Sequence, residues 1–449
     1  MSRPYTSSSG TCTRTPGFPS WPPSPTTKPN FSQRAARAGR PRNDNRPPTS
    51  ICVVTRALDG LTVLDLATFV AAPVCATLLG EFGAEVIKVE QPGVGDDLRR
   101  LGRQVDGTSL WWLSEARNKK SITCNLRTPE GQGLIRRLAE RIDIVTENFR
   151  PGTLERWSLG YEALKAINPG LIMVRISAFG QTGPYRERPS FGRIAAAVSG
   201  ISYLSGYPDR PPVTPGTPTI PDYLAGVMGA FGGLVALHHR QLTGEGQVVD
   251  VGLYEPILRM LDELIPVYGA TGHVRERIGS GTEYVVPHDH YRARDGRWIA
   301  IACTNDRMFH RLLRAMGREE LRERYLTMAD RLRQREELER LVEEWVGSQE
   351  ARAVLTRLEA AEVPCSLVNS VRDLFEDPHL KARENIVALA NPLGGLLHMV
   401  GVVPKLSRTP GRIDRLGPVR IGEHNEEIYM GRLGLSREEL EQLKAGGVI

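Results

Sequence analysis

Asp222 is the carboxylate whose surroundings point most directly to chemistry. It follows the run Thr217 to Pro221 and stands just ahead of a stretch rich in Gly and Ala. An acid at a helix start is stabilised by unpaired N–H groups and the positive end of the macrodipole, so capping alone accounts for it. The same position presents a nucleophilic carboxylate. The local pattern leaves both roles open, with capping the simpler. Gly279-Ser280-Gly281 reads as a candidate mobile loop, because glycine lets a backbone approach a substrate or swing over it. An ordinary loop fits the same residues. Arg117, Lys119, Lys120, Arg127, Arg150 and Arg156 fall near strand ends or helix starts. Such positions suit the phosphates of a ligand, and a solvated surface suits any one of them equally.

Other chemistries find less support. No G-x-x-x-x-G-K-[ST] loop, G-x-S-x-G elbow or helical His-x-x-x-His pair is present. Gly93-Val94-Gly95 follows a strand, but Asp96 and Asp97 stand where a dinucleotide fingerprint needs its third glycine and its helix. His288-Asp289-His290 offers two metal ligands without a third. A loop at a domain edge is the expected reading there, and no metal is expected. The six cysteines, at 12, 52, 75, 124, 303 and 365, show neither C-x-x-C nor zinc-finger spacing. Reduced thiols of a cytosolic protein are expected.

The elements that must position Asp222 alternate in type. Residues 61–66 read as a short apolar strand, 73–82 as a helix, and 85–89 and 121–126 as strands. Thr128-Pro129-Glu130 opens a helix, with Thr as N-cap, Pro at the first helical position and an acid in the first turn. Leu134, Leu138 and Ile142 form its apolar side. Residues 143–146 and 171–176 read as strands, with 161–167 helical between them. Residues 222–240 read as a long helix, in which Ala225, Gly226, Gly229, Gly232 and Gly233 predict close approach to another backbone. A strand over 247–253 and a helix over 255–268 follow. Beyond about residue 272, strands over 298–303 and 363–368 enclose a charged helical stretch, 307–361, which marks a smaller second domain. This order predicts an α/β fold: an open, mostly parallel sheet with helices on both faces and right-handed crossovers.

The chain of 449 residues, 40% hydrophobic and 24% charged, can bury a large core without disulfides or a structural metal. No run of about 18 apolar residues appears, so no membrane-spanning helix is expected. The net charge of +6 is concentrated at one end. Residues 1–56 hold nine Lys and Arg against one acid, Asp44, leaving 49 basic and 51 acidic groups elsewhere. The nearly neutral body argues against a nucleic-acid partner. Residues 1–56 also hold ten of the 32 prolines and show no sustained period, so a disordered extension is expected. It lacks the apolar segment of a secretory signal. Its composition matches a mitochondrial transit segment, but proline blocks an amphipathic helix outside residues 31–38. A dispensable tail or an upstream start site is the simpler account. The expected location is cytoplasmic, or mitochondrial if residues 1–56 are a transit segment.

Several stretches, in this order, carry a resemblance. They are Leu58-Asp-Gly-Leu-Thr-Val-Leu-Asp-Leu66, Ala71-Ala-Pro73 and Leu79-Gly-Glu-Phe-Gly-Ala-Glu-Val-Ile-Lys-Val-Glu90. Residues 117–131, Glu147-Asn-Phe-Arg-Pro-Gly152 and Gly180-Gln-Thr-Gly-Pro184 follow. Thr243-Gly-Glu-Gly-Gln-Val-Val-Asp250, Gly422-Glu-His424 and a final Gly-Val-Ile complete the series. Over residues 57–449 the chain resembles the class III CoA-transferases, the formyl-CoA and carnitine-CoA transferase type.

The resemblance implies an interlocked homodimer. Each chain would have a large Rossmann-like domain built from both ends of the sequence (57–271 and 369–449) and a small middle domain (272–368). It implies that Asp222 is the nucleophile, and that CoA moves from an acyl-CoA to a carboxylic acid through an aspartyl anhydride and an aspartyl-CoA thioester. Coenzyme A enters as substrate, with no permanently bound cofactor. Gly279 and Gly281 match the mobile lid. CoA contacts fall on Val70, Ala71, Gln91, Cys124, Asn125, Leu126, Arg127, Asn148, Phe149, Arg150 and Arg156. Some members carry glutamine at the Val70 position and arginine at Gln91, so adenine and phosphate contacts are expected to differ here. α-Methylacyl-CoA racemases share the fold but need a His-Asp pair, which falls on Phe191 and Gly192; neither moves a proton. A CoA-binding protein without turnover is a further alternative, which Asp222→Asn would separate from an enzyme. Arg275 and Arg277, near the lid, are candidates for favouring acidic acceptors.

Overall fold

A computed structural model of the chain describes residues 56–449. The expected disordered extension lies outside the described residues except for Arg56, as do Cys12 and Cys52. The large sheet contains β1 (Thr62–Asp65), β2 (Glu85–Glu90) and β3 (Lys119–Thr123). It continues with β4 (Ile144–Glu147), β5 (Ile172–Ser177) and β6 (Val248–Gly252). All neighbours pair in parallel, in the order β3-β2-β1-β4-β5-β6. That is the doubly wound order of nucleotide-binding sheets. Apolar residues dominate β1, β4 and β5 because both faces are covered, while β2 and β3 bury the charged Lys88 and Lys119. Leu64, Ile87, Val145 and Met173 enter one core, and Val63, Val86, Ile144 and Val174 the other.

The first face is covered by helix α2 (Pro129–Ala139), whose start is the expected one: the Thr128 hydroxyl accepts from the Gly131 N–H at 3.1 Å. Ile428, Tyr429, Leu440 and Val448 join the same core. The far end of the chain therefore packs on the sheet, while every one of the six strands comes from residues 62–252. The second face carries α1 (Ala71–Glu81) and α4 (Ile220–Thr243), with α3 (Gly192–Ser199) preceding α4. Small residues on α4 permit the approach they predicted. A Cβ at Gly226 would stand 2.8 Å from the Ala71 carbonyl oxygen, and one at Gly229 2.8 Å from Ile176 Cδ1.

Three expectations need correction. With 24 residues and a mean hydropathy of 1.5 over an 18-residue window, α4 is long and apolar enough to cross a membrane by length and composition. Its Leu, Val, Ile, Phe and Ala residues supply that hydropathy although glycines and a few polar residues interrupt the apolar run; one side of α4 covers the sheet. The helix expected over 255–268 is two, Glu255–Arg259 and Leu264–Thr271, separated near Asp262, whose φ is +46°. His288-Asp289-His290 stands on a strand, not in a loop. That strand, β7 (His288–Arg292), pairs antiparallel with β8 (Trp298–Ala302), which pairs with β9 (Cys365–Leu367). Around this small sheet Ile299, Phe309, Leu312, Val342 and Leu358 form a separate core. A hairpin over β10 (Ile386–Ala390) and β11 (Leu396–Val400) has no counterpart in the sequence reading.

Candidate active site

The sheet order reverses between β1 and β4. In such sheets ligands bind outside the carboxyl ends of the strands at this switch point. A cleft of about 320 Å³ opens there. Thr68 to Ala71 line it after β1, Asn148 to Pro151 after β4, Ser177 and Ala178 after β5, and Asp222 enters from α4. The start of α1 also opens into it, a favourable setting for developing negative charge.

Asp222 is the third residue of α4, and the preceding Thr219 makes no side-chain cap. No other described residue donates a hydrogen bond to its carboxylate. Burial pushes its pKa up to about 6, partly offset by its own backbone N–H. Ionisation, and hence nucleophilicity, therefore increases with pH through this value. For the nucleophilic role that the resemblance implies, the expected rate of covalent acylation rises tenfold per pH unit below about pH 6 and levels off above pH 7, read by single-turnover trapping.

Gly192, at the start of α3, is what allows Asp222 its position. A Cβ there would overlap Asp222 Oδ2 and the Pro218 carbonyl oxygen. Gly192→Ala should push the carboxylate out of line and lower kcat by about 100-fold, with the far-ultraviolet dichroism unchanged. The neighbouring Phe191 is 69% exposed at the cleft, with its ring 6.1 Å from Phe69 in an edge-on arrangement. The dipeptide thus supplies an aromatic rim and clearance, without a proton carrier.

The CoA positions expected from the resemblance divide between this cleft and an adjoining cavity of about 450 Å³. Val70, Ala71, Asn148, Phe149 and Arg150 line the first. Gln91, Cys124, Leu126, Arg127 and again Phe149 line the second. Thr68 and Phe149 border both. The Asn148 amide is engaged internally: Nδ2 donates to the Thr68 carbonyl at 2.7 Å, and Oδ1 accepts from the Thr68 N–H at 2.9 Å. It clamps the two switch-point loops together. Asn125 stands beside the second cavity, accepting from the Arg127 N–H at 3.1 Å. Burial pushes the Cys124 thiol up to about 12, so it is a neutral wall at physiological pH.

Other expected site residues lie elsewhere. Arg156 lines neither cavity and donates to the Thr153 hydroxyl at 3.0 Å. Gly279 and Gly281 also line neither: the Gly279 N–H bonds the Gly206 carbonyl at 3.0 Å, and Gly281 sits by Asp289. Three phosphate candidates are tied up in ion pairs. Arg117 donates to Glu81 at 2.7 Å, Lys119 to Asp65 at 2.8 Å, and Lys120 to Glu85 and Glu427, both at 2.5 Å. Arg127 and Arg150 remain exposed at the cavities, without a carboxylate partner among the described residues. Arg275 and Arg277 are not in the Asp222 cleft. Arg275 lies 3.7 Å from Asp262, and Arg277 donates to the Tyr203 carbonyl at 2.6 Å. Thr68, Phe69, Arg186 and Arg188 line the cleft and were missed. Their places, directly after β1 and in the loop after β5, are the signal that identifies them.

The doubly wound sheet and the unpaired carboxylate at its switch point define an α/β enzyme of the Rossmann-like class. The chain belongs to CoA-transferase family III, which it matches over residues 58–425. It is similar to the succinyl-CoA–L-malate CoA-transferase beta subunit of Chloroflexus aurantiacus, at 49% identity over 88% of this chain and 98% of that one. The succinyl-CoA–D-citramalate CoA-transferase of the same organism is 47% identical over 91% and 100%. Among solved structures, a CAIB/BAIF family protein from Brucella suis superposes with a TM-score of 0.75 at 35% identity, covering 84% of this chain and 99% of that one. The protein is therefore a family III CoA-transferase.

Proposed function

We propose that this enzyme moves CoA from succinyl-CoA to a hydroxylated dicarboxylic acid of the malate or citramalate type, with Asp222 as nucleophile. The unpaired Asp222 carboxylate in the switch-point cleft carries the reading. The donor and acceptor classes come from the named activities of the relatives.

The carboxylate attacks the thioester carbonyl, forming an aspartyl-succinyl anhydride and releasing CoA thiolate. The thiolate then attacks the Asp222 carbonyl, giving an aspartyl-CoA thioester and free succinate. The acceptor carboxylate attacks that thioester, forming a second anhydride and releasing the thiolate again. Attack of the thiolate on the acceptor carbonyl gives the new acyl-CoA and restores Asp222. A carboxylate suits each step because its anhydride can be reopened by a thiolate. Water must be kept away from the anhydride, and the aromatic rim of Phe69 and Phe191 supports that exclusion. The same reading includes a dimer of two copies. The solvent-facing side of α4, with Val227, Phe231, Val235 and Leu242 all exposed, supports it.

The test is covalent trapping. The protein is mixed with succinyl-CoA, treated with hydroxylamine or borohydride, and mapped by peptide mass. A modification confined to the Asp222 peptide supports the reading. Absence of any adduct while CoA still binds would shift it to a non-catalytic CoA-binding protein.

A further inference from the structure

The Asp222 cleft holds more positive charge than a thioester carbonyl requires. Arg150, Arg186 and Arg188 line it, against the single carboxylate of Asp222. Arg186 and Arg188 come from the loop between β5 and α3. The Gln181 N–H anchors this loop, 2.9 and 3.1 Å from the two Asp250 carboxylate oxygens. The Arg188 guanidinium carbon lies 3.6 Å from the centre of the Tyr185 ring, and Tyr185 meets Phe179 edge-on at 5.9 Å. Stacking occupies the face of the guanidinium and leaves its in-plane donors free. Arg186 pairs with its exposed neighbour Glu187 at 3.2 Å, a contact that water and salt screen heavily. Neither cation holds down the Asp222 pKa, which burial dominates, so neither neutralises that carboxylate. One guanidinium with free in-plane donors and a second held only by an exposed carboxylate, both lining the cleft and neither paired with Asp222, fit a carboxylate carried by the substrate.

We propose that Arg186 and Arg188 bind the second carboxylate of a dicarboxylic substrate and so select dicarboxylic over monocarboxylic acyl groups. The proposal rests on the CoA-transferase reading of Asp222. Binding at both ends of a short acid fixes the reacting carbonyl against Asp222, the kind of positioning that accelerates attack.

The test compares succinyl-CoA with butyryl-CoA, two donors with acyl chains of the same length, in single-turnover acylation. Wild type, each single alanine variant and the double variant Arg186→Ala/Arg188→Ala are measured. The ratio of kcat/KM for succinyl-CoA to that for butyryl-CoA should fall by about 10- to 100-fold in the double variant. The ratio divides out any loss of folded protein, and the single variants apportion the effect between the two arginines. A double-variant ratio within about twofold of wild type overturns the proposal. A wild type that forms no adduct with either donor overturns the reading of Asp222 itself, and this proposal with it.

Discussion

Asp222→Asn should abolish CoA transfer, lowering kcat by about 10⁴-fold or more, the scale seen when a nucleophile is removed. The amide keeps the shape of the side chain but cannot form the anhydride. No second carboxylate lines the cleft to take its place. The same substitution should raise stability at neutral pH, and the sign follows from linkage. Burial raises the Asp222 pKa from 3.8 to about 6. Below 3.8 both folded and unfolded chains are protonated there. Between 3.8 and about 6 the unfolded chain has released this proton while the folded chain keeps it, so stability falls across that window and levels off once the folded chain is ionised too. One pKa unit corresponds to about 1.4 kcal/mol, and solvent screening at this half-buried site leaves a gain of about 1–2 kcal/mol for the neutral amide. Thermal denaturation should therefore show the variant melting above wild type at pH 7 and level with it near pH 3.5. A first-turn acid kept for capping predicts the opposite, full turnover with a lower melting temperature, because the amide loses its interaction with the macrodipole. Full turnover sinks the nucleophile, and a lower melting temperature alone sinks only the burial argument.

What the sequence made legible follows the range of the interactions involved. Strands β1 and β5 are short, mostly apolar runs, and Thr128-Pro129 marks a helix start through contacts within one turn, so local pattern suffices for both. The fates of Lys119 and Lys120 do not show locally. Their partners lie 54 residues away at Asp65 and 307 residues away at Glu427. Strand pairing on either side of β2 brings Asp65 to Lys119, and packing of the C-terminal segment on the sheet brings Glu427 to Lys120. Asn148 is similar: its amide meets Thr68 across 80 residues because β4 lies beside β1. Arg275 and Arg277 drew attention through nearness in sequence to the glycine loop. Arg186 and Arg188 hold the corresponding place in space, because their loop leaves the carboxyl end of β5 near the switch point. Asp222 itself needed the family resemblance, since a first-turn acid has an adequate structural explanation on its own.

Lys88→Met should cost about 3–5 kcal/mol of stability, the usual consequence of leaving one half of a buried ion pair behind. Lys88 is 1% exposed in the middle of β2. Its ammonium lies 2.9 Å from Asp96 Oδ2 and 3.9 Å from Asp65 Oδ1, and it donates to the Ala67 carbonyl. Burial alone would lower its pKa, but the two carboxylates overcome that and raise it, so the charge persists at neutral pH. Asp65 keeps Lys119 in the variant, whereas Asp96 loses its only ion-pair partner among the described residues. Asp96 also has a positional duty. Its Oδ1 accepts from the Phe69 N–H at 3.1 Å and the Leu98 N–H at 2.9 Å. Phe69 has a φ of +63°, a left-handed conformation that glycine adopts freely and phenylalanine does not. Nucleotide-binding sheets place glycine in the turn after the first strand; here the Lys88–Asp96 pair holds a phenylalanine in that geometry, with its ring at the edge of the Asp222 cleft. Loss of the pair should therefore raise KM for the acyl-CoA donor as well as lower the urea midpoint. Lys88→Met/Asp96→Asn removes both charges and should recover part of the stability, but not the KM, because a neutral amide holds the strained turn less firmly. A single variant that loses less than about 1 kcal/mol in urea would mean that the sheet holds this turn without the charge pair, and a double variant no more stable than the single would mean that the orphaned Asp96 charge is not the source of the loss.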